Sequence, residues 1–216
     1  MNRVLVPAPI RPDMHPALLE RFKNNVGALE DVDVWWDKRP WVKDYEGENY
    51  SRRAALGRQA TIDDSLKSHH EWALWIDPDI TFRPDLLWRL LATSERGIVA
   101  PLTLIEGKQV HYDTAGVRPS FQQHSSPEPP PSGIYEMFSV GCCVLVPAEV
   151  HRRVRFQQQD DDDMTENTEW TSLCVGAKER GYPILWNTEI VVEHADLPAY
   201  GEQWHMRRPE YGMYGR

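Results

Sequence analysis

Four short apolar runs alternate with stretches of helical spacing through the first part of the chain, and this alternation restricts the fold more than any other feature. Arg3–Ile10, Val32-Asp33-Val34-Trp35-Trp36, Ala73-Leu74-Trp75-Ile76 and Ile98-Val99-Ala100 read as strands. Helices are predicted between them. One covers 17–26; a second covers 51–67, with Ala55, Leu56, Ala60, Ile62 and Leu66 mostly at helical spacings. A third covers 86–92, where Pro84 and Asp85 open a helix whose buried face is Leu86, Leu87, Leu90 and Leu91. The resulting β-α-β-α-β-α-β order predicts an α/β fold with a mostly parallel sheet covered by helices. The 216 residues suit one domain, and no internal repeat or second core is visible.

The second half changes character. A hairpin is expected about Gly107-Lys108, followed by a polar, Pro-rich surface loop from Arg118 to Gly133. Met137–Val146 reads as a strand with Gly141 inside it, marking either a bulge or a close approach to the backbone. Asp160–Asp163 is a run of like charges that suits a solvated loop. Trp170, Leu173, Cys174 and Ala177 mark one face of a helix closed by Gly181, and 182–186 and 189–193 read as late strands followed by His194.

Composition removes several function classes. With 24 basic against 33 acidic residues the net charge is −9, so no overall field draws the protein to nucleic acid or an anionic membrane. No apolar run approaches the ~20 residues of a membrane span, and Met1-Asn2-Arg3 leads straight into a strand, so a soluble cytoplasmic protein is expected. Cys142, Cys143 and Cys174 are an odd set with a vicinal pair in an apolar run; reduced core residues are expected rather than a disulfide framework.

The chemistry begins where the third strand breaks into Asp77-Pro78-Asp79. Ligands of open α/β sheets gather at the carboxyl ends of the strands. Two carboxylates there, on a turn stiffened by Pro78, make a hard-oxygen site for a divalent cation and the phosphates it bridges. The competing reading is a solvated turn with helix-capping acids.

The whole order resembles the GT-A class of nucleotide-sugar glycosyltransferases. Ala73-Leu74-Trp75-Ile76-Asp77-Pro78-Asp79-Ile80 is similar to the DxD segment of fungal Golgi mannosyltransferase relatives and small virus-encoded glycosyltransferases, and Asn49-Tyr50-Ser51-Arg52-Arg53 upstream is similar too. Thr165-Glu166-Asn167-Thr168-Glu169-Trp170 resembles the acidic motif near the acceptor, with Asn167 where many relatives carry aspartate. Val191-Val192-Glu193-His194 resembles the segment bearing a late metal-ligand histidine.

The resemblance implies one GT-A-like domain, with a nucleotide-binding half (1–101), a smaller mixed-strand acceptor half (102–194) and a tail (195–216) that could act as a lid. It further implies metal-dependent transfer of a sugar from a UDP- or GDP-linked donor to the hydroxyl of a glycan, protein, lipid or modified nucleobase. Asp77, Asp79 and His194 would hold Mn2+ or Mg2+. Pro9, Arg11, Asp37, Arg53, Arg58, Asp77, Pro78 and Gly141 would line the donor, the guanidinium groups matching phosphate oxygens and Asp37 meeting base or ribose. Glu166 or Glu169 would serve as acceptor base, or would simply favour a helix N-terminus. Two rivals stand beside this reading. Asp77-Pro78-Asp79-Ile80-Thr81 also satisfies the DxDxT pattern of haloacid-dehalogenase-type phosphatases, with Asp77 as nucleophile, and a silent nucleotide-sugar-binding module is the other.

Overall fold

The structure, a computed structural model, describes residues 3–10, 14, 16–37, 50–114, 116–120, 122–123, 125–157 and 169–195. Arg11, Glu166, Asn167, the run Asp160–Asp163 and the tail beyond Ala195 lie outside the described residues, as do the side chains of Pro9 and Arg53.

The first half follows the expected alternation: β1 (Val4–Pro9), α1 (Pro16–Gly27), β2 (Val32–Asp37), α2 (Tyr50–Ser65), β3 (Trp72–Ile76), β4 (Ile80–Thr81), α3 (Leu86–Thr93) and β5 (Ile98–Ile105). β6 (Ile134–Glu136), β7 (Cys143–Pro147), α4 (Ala148–Arg153), α5 (Glu169–Lys178) and β8 (Ile184–His194) complete it. One sheet holds every strand in the order β2-β1-β3-β7-β5-β8-β4, with β6 paired on β8. β2, β1 and β3 run parallel; β7 enters antiparallel between β3 and β5, and β5 and β8 are parallel again. The carboxyl ends of β1, β2, β3, β5 and β8 therefore share an edge with the amino end of β7.

Strand alternation explains why helices cover both faces. Along β3, Ala73 and Trp75 join one apolar layer with Ala55 and Ile62 of α2 and Leu173, Cys174 and Ala177 of α5. Leu74 and Ile76 join the other, with Phe22 and Val26 of α1 and Leu86, Leu87 and Leu90 of α3. Each such leucine, fully buried, contributes about 2 kcal/mol of transfer free energy. The three cysteines are buried free thiols, and no helix among the described residues is long and apolar enough to cross a membrane.

Four elements differ from expectation. β5 continues through Pro101 to Ile105, because the register against β8 shifts between Pro101 and Leu102 and an irregular ladder tolerates the missing donor. The two late strands are one, β8, irregular at that same shift. The strand expected from Met137 starts only at Cys143, since Arg118 pairs with Ser139 and Cys142 takes a φ of +60°. The Pro-rich stretch, expected as a free loop, is tied down where it is described: Ser125 donates to the carbonyls of Thr114 and Val117, and His111 donates to that of Pro127. The hairpin at Gly107 is present, with Gly107 at φ +72° and Ile105 N–H donating to Val110 O at 2.9 Å.

Candidate functional site

β3 delivers Asp77 to the sheet's carboxyl edge, where the Asp77 N–H donates to Cys142 O at 3.0 Å and the Ile80 N–H closes a turn onto Asp77 O at 2.9 Å. Pro78 sits second in that turn, a position that suits its fixed φ. The turn feeds β4, which pairs with the end of β8 so that Ile80 lies opposite His194, and the Ala195 N–H donates to Asp79 O at 2.9 Å. Backbone pairing thus sets Asp79 beside His194, with Nε2 3.3 Å from Oδ2.

The other ring nitrogen fixes the chemistry of this pair. His194 Nδ1 lies 2.9 Å from Ala195 O, and a carbonyl only accepts, so Nδ1 carries a proton. In the neutral ring Nε2 then aims a lone pair at a carboxylate oxygen, an arrangement that needs a proton or a metal cation between the two atoms. Burial pulls the imidazole's pKa down. Asp79's charge and hydrogen bond, the Ala195 carbonyl and the charge of Asp77 outweigh it, and the net direction is upward. Tyr112 stacks on the ring at 3.5 Å and 16°, fixing its plane.

Asp77 faces elsewhere. Its Oδ1 accepts from Arg58 Nη2 at 2.7 Å, and Arg58 Nε donates to Glu169 Oε1 at 3.1 Å. The guanidinium lies 5.5 Å from the Trp75 ring centroid and 4.9 Å from that of Trp170. Glu169 is the first residue of α5 and is buried. Asp37, ending β2, is buried too and accepts from the Thr61 hydroxyl of α2 at 2.7 Å.

Gly141 marks a close approach, and the group that approaches is Asp113. A methyl at Gly141 would lie 2.6 Å from Asp113 Oδ2 and 3.2 Å from the Trp170 ring; one at Gly116 would collide with the same carboxyl at 2.4 Å. The Gly116 N–H donates to Asp113 Oδ1 at 2.9 Å, while Oδ2 is buried with no N–H or O–H donor among the described residues. Burial first, then the charges of Asp77 and Glu169, raise this carboxyl to about 7 against the opposing Cys142 thiol and Gly116 amide. Cys142 itself, at φ +60°, spans a Cys143 N–H to Gly141 O bond of 2.8 Å, the strained γ-turn geometry that persists where surroundings over-determine it.

Sequence reasoning missed Tyr112, Asp113 and Cys142. The signal for Asp113 was the glycine three residues on, since an Asp that caps a Gly N–H in a turn reads as D-x-x-G. It also missed Asp33, His69 and His70 at the opposite edge, where His69 Nε2 and His70 Nε2 lie 3.2 and 3.0 Å from Asp33 Oδ2. Among the described residues this trio alone gathers three such ligand atoms within 4.8 Å. Asp77, Asp79 and His194 are more spread, consistent with Asp77 serving through water or a hydroxyl. A separate cavity of about 660 Å³ lies along α5, lined by Arg153, Arg155, Ser172 and Arg180 among others, and none of the edge carboxylates lines it.

No protein-family profile and no curated protein sequence matches the chain. Solved structures do. A197 from STIV aligns with TM-score 0.52 at 10% identity, covering 90% of this chain and 85% of that one. GalNAc-T7, crystallised with UDP, GalNAc and Mn2+, aligns with TM-score 0.51 at 13% identity over 89% of this chain, which spans 36% of that one. A Drosophila β1,4-galactosyltransferase 7 mutant, in complex with manganese, UDP-Gal and xylobiose, aligns with TM-score 0.53 at 12% identity over 100% of this chain and 78% of that one. At such identities the likeness is one of fold: the chain has a GT-A-like glycosyltransferase fold.

Proposed function

We propose that the protein is a metal-dependent glycosyltransferase that moves a sugar from a UDP- or GDP-linked donor to an acceptor hydroxyl. The observation that carries the reading is the Asp79–His194 pair, whose Nε2 and carboxylate oxygen face one another at 3.3 Å at the carboxyl edge of a GT-A-like sheet. Fold neighbours crystallised with manganese and UDP support the same reading.

Asp79 and His194 would hold Mn2+ or Mg2+, the imidazole favouring Mn2+. Bound there, the cation supplies positive charge against which a departing diphosphate is stabilised. The chain's own groups do the rest. Asp77, beside the Asp79–His194 pair and anchored by Arg58, would serve the cation through water or hold a ribose or sugar hydroxyl. Asp37, one oxygen of which accepts from the Thr61 hydroxyl, meets base or ribose. Pro9, Arg11, Arg53, Pro78 and Gly141 complete the donor side. On the acceptor side Glu169, buried at the start of α5, takes the hydroxyl proton in an inverting reaction, with Glu166 of the same acidic motif as the other candidate.

Calorimetry or thermal shift with UDP-, GDP-, CMP- and dTDP-sugars, with and without Mn2+, tests the reading. One donor class should raise Tm only with the metal. Phosphate release from p-nitrophenyl phosphate, with no response to any nucleotide sugar, would overturn it in favour of a phosphatase.

A further inference from the structure

The sequence offers Arg58 as a cation for the donor diphosphate, and the structure gives it another occupation. Its fork is already divided: Nη2 to Asp77 on the donor side, 2.7 Å, and Nε to Glu169 on the acceptor side, 3.1 Å. The side chain is only 11% exposed, and its guanidinium carbon lies over the rings of Trp75 of β3 and Trp170 of α5. A planar guanidinium with two bonds at fixed angles holds two carboxylates at a set separation, which a lysine ammonium does not. The third carboxyl, Asp113, stands close enough for the charges of both Asp77 and Glu169 to act on it. Asp77 and Glu169 would repel one another without a cation between them.

We infer that Arg58 is a positioning residue: it ties the donor-side Asp77 to the acceptor-side Glu169, so that the two halves of the transfer site are set against each other by one guanidinium rather than by a bound phosphate. This rests on the transferase reading for its kinetic consequence but not for its structural one. The link joins the end of β3 to α2 and α5, elements that also share one apolar layer.

Two measurements test it. In the unliganded protein the Tm changes of Asp77→Asn and Glu169→Gln should be non-additive, and the coupling should change once Arg58→Gln is present, because the part that passes through the guanidinium is lost and only direct repulsion remains. Additivity in the native background would overturn the inference whatever the protein's activity. In turnover, Arg58→Lys and Arg58→Ala should lower kcat about 100-fold, the scale of a misplaced reacting group, while donor KM stays within about threefold. Added guanidinium ion should restore part of the Arg58→Ala rate. A donor KM raised by about tenfold or more with kcat intact would make Arg58 a phosphate ligand and end the proposal. Non-additive Tm changes without Mn2+-dependent donor binding by the native protein would instead leave the link standing and remove the transferase reading.

Discussion

At one edge of the sheet Asp79 faces His194; at the other Asp33 faces His69 and His70. Counted by ligands, the second cluster is the better metal site, yet the partner of the far ring nitrogen reverses that ranking. His194 Nδ1 donates to the Ala195 carbonyl and keeps its own proton, so a cation can take the place of the proton that Nε2 shares with Asp79. His70 Nδ1 accepts the Lys67 N–H at 2.9 Å, so its proton sits on Nε2 and satisfies Asp33 directly. The loop that presents His70 is further fixed by Arg152, whose Nη2 donates to the carbonyls of Lys67 and His70. In one pair a cation can replace the Nε2 proton while Nδ1 keeps its own; in the other the Nε2 proton is the only one the neutral ring carries. What distinguishes them is a backbone group, not the identity of the ligands.

The largest effect expected from this difference is on metal-dependent donor binding. Asp79→Ala should abolish the Mn2+-dependent thermal shift with donor and lower turnover by about 1,000-fold, whereas Asp33→Ala should leave both within about twofold. Equal losses from the two substitutions would erase the distinction. His194→Gln comes next, with apparent Mn2+ affinity down by about 100-fold. His70→Gln should not alter Mn2+ affinity. A Zn2+ titration followed by imidazole NMR resolves the same point ring by ring: His194 signals should move first, and early movement of the His70 signals would contradict the tautomer assignment.

Much of the fold was legible because the period-2 and helical patterns of the first half are local, and Asp77, Asp79 and Asp37 stand where a strand visibly stops. His194 came from a resemblance at a strand end, and β4 pairing supplies the reason it meets Asp79. What escaped is non-local. Nothing in the spacing of Arg58 announces that Glu169, 111 residues away, is its partner. Cys142 at positive φ broke a run that reads as strand with a bulge or close approach at Gly141, since β-propensity reports how a side chain fits a sheet and not which residue takes the turn. Asp113 lies in a segment with no period at all, where only its spacing from Gly116 carries information.

Asp113 sharpens the comparison further, because it is a carboxyl beside the site without a histidine. Its pKa rises from 3.8 to about 7 in the fold. The folded protein therefore holds a proton that the unfolded chain releases, and stability present below pH ~4 is lost as pH rises toward about 7. Asp113→Asn keeps the oxygen that accepts from Gly116 and removes the ionisation. It should raise stability at pH 8 by about 2 kcal/mol after allowance for screening, with no gain at pH 4. Urea denaturation of both proteins at the two pH values decides it; an equal difference at each pH would mean that the carboxyl does not titrate between them.

The smallest effect falls at the opposite edge, and its sign is reversed. Hydrogen bonds from His69 and then His70 hold Asp33 below its ordinary 3.8, against a little desolvation. Such a group contributes stability above pH ~4 that disappears as pH falls through the lower, folded value. Asp33 and His69 are each about half exposed, so water screens the cluster. Asp33→Asn should cost about 0.5 kcal/mol or less at pH 7 and nothing at pH 2. A loss several times larger at pH 7 would mean that the trio braces the sheet's amino edge through more than these two bonds. A loss that grew with added Mn2+ would mean that a cation sits there after all, and the backbone partner of His70 would no longer explain the difference between the two edges.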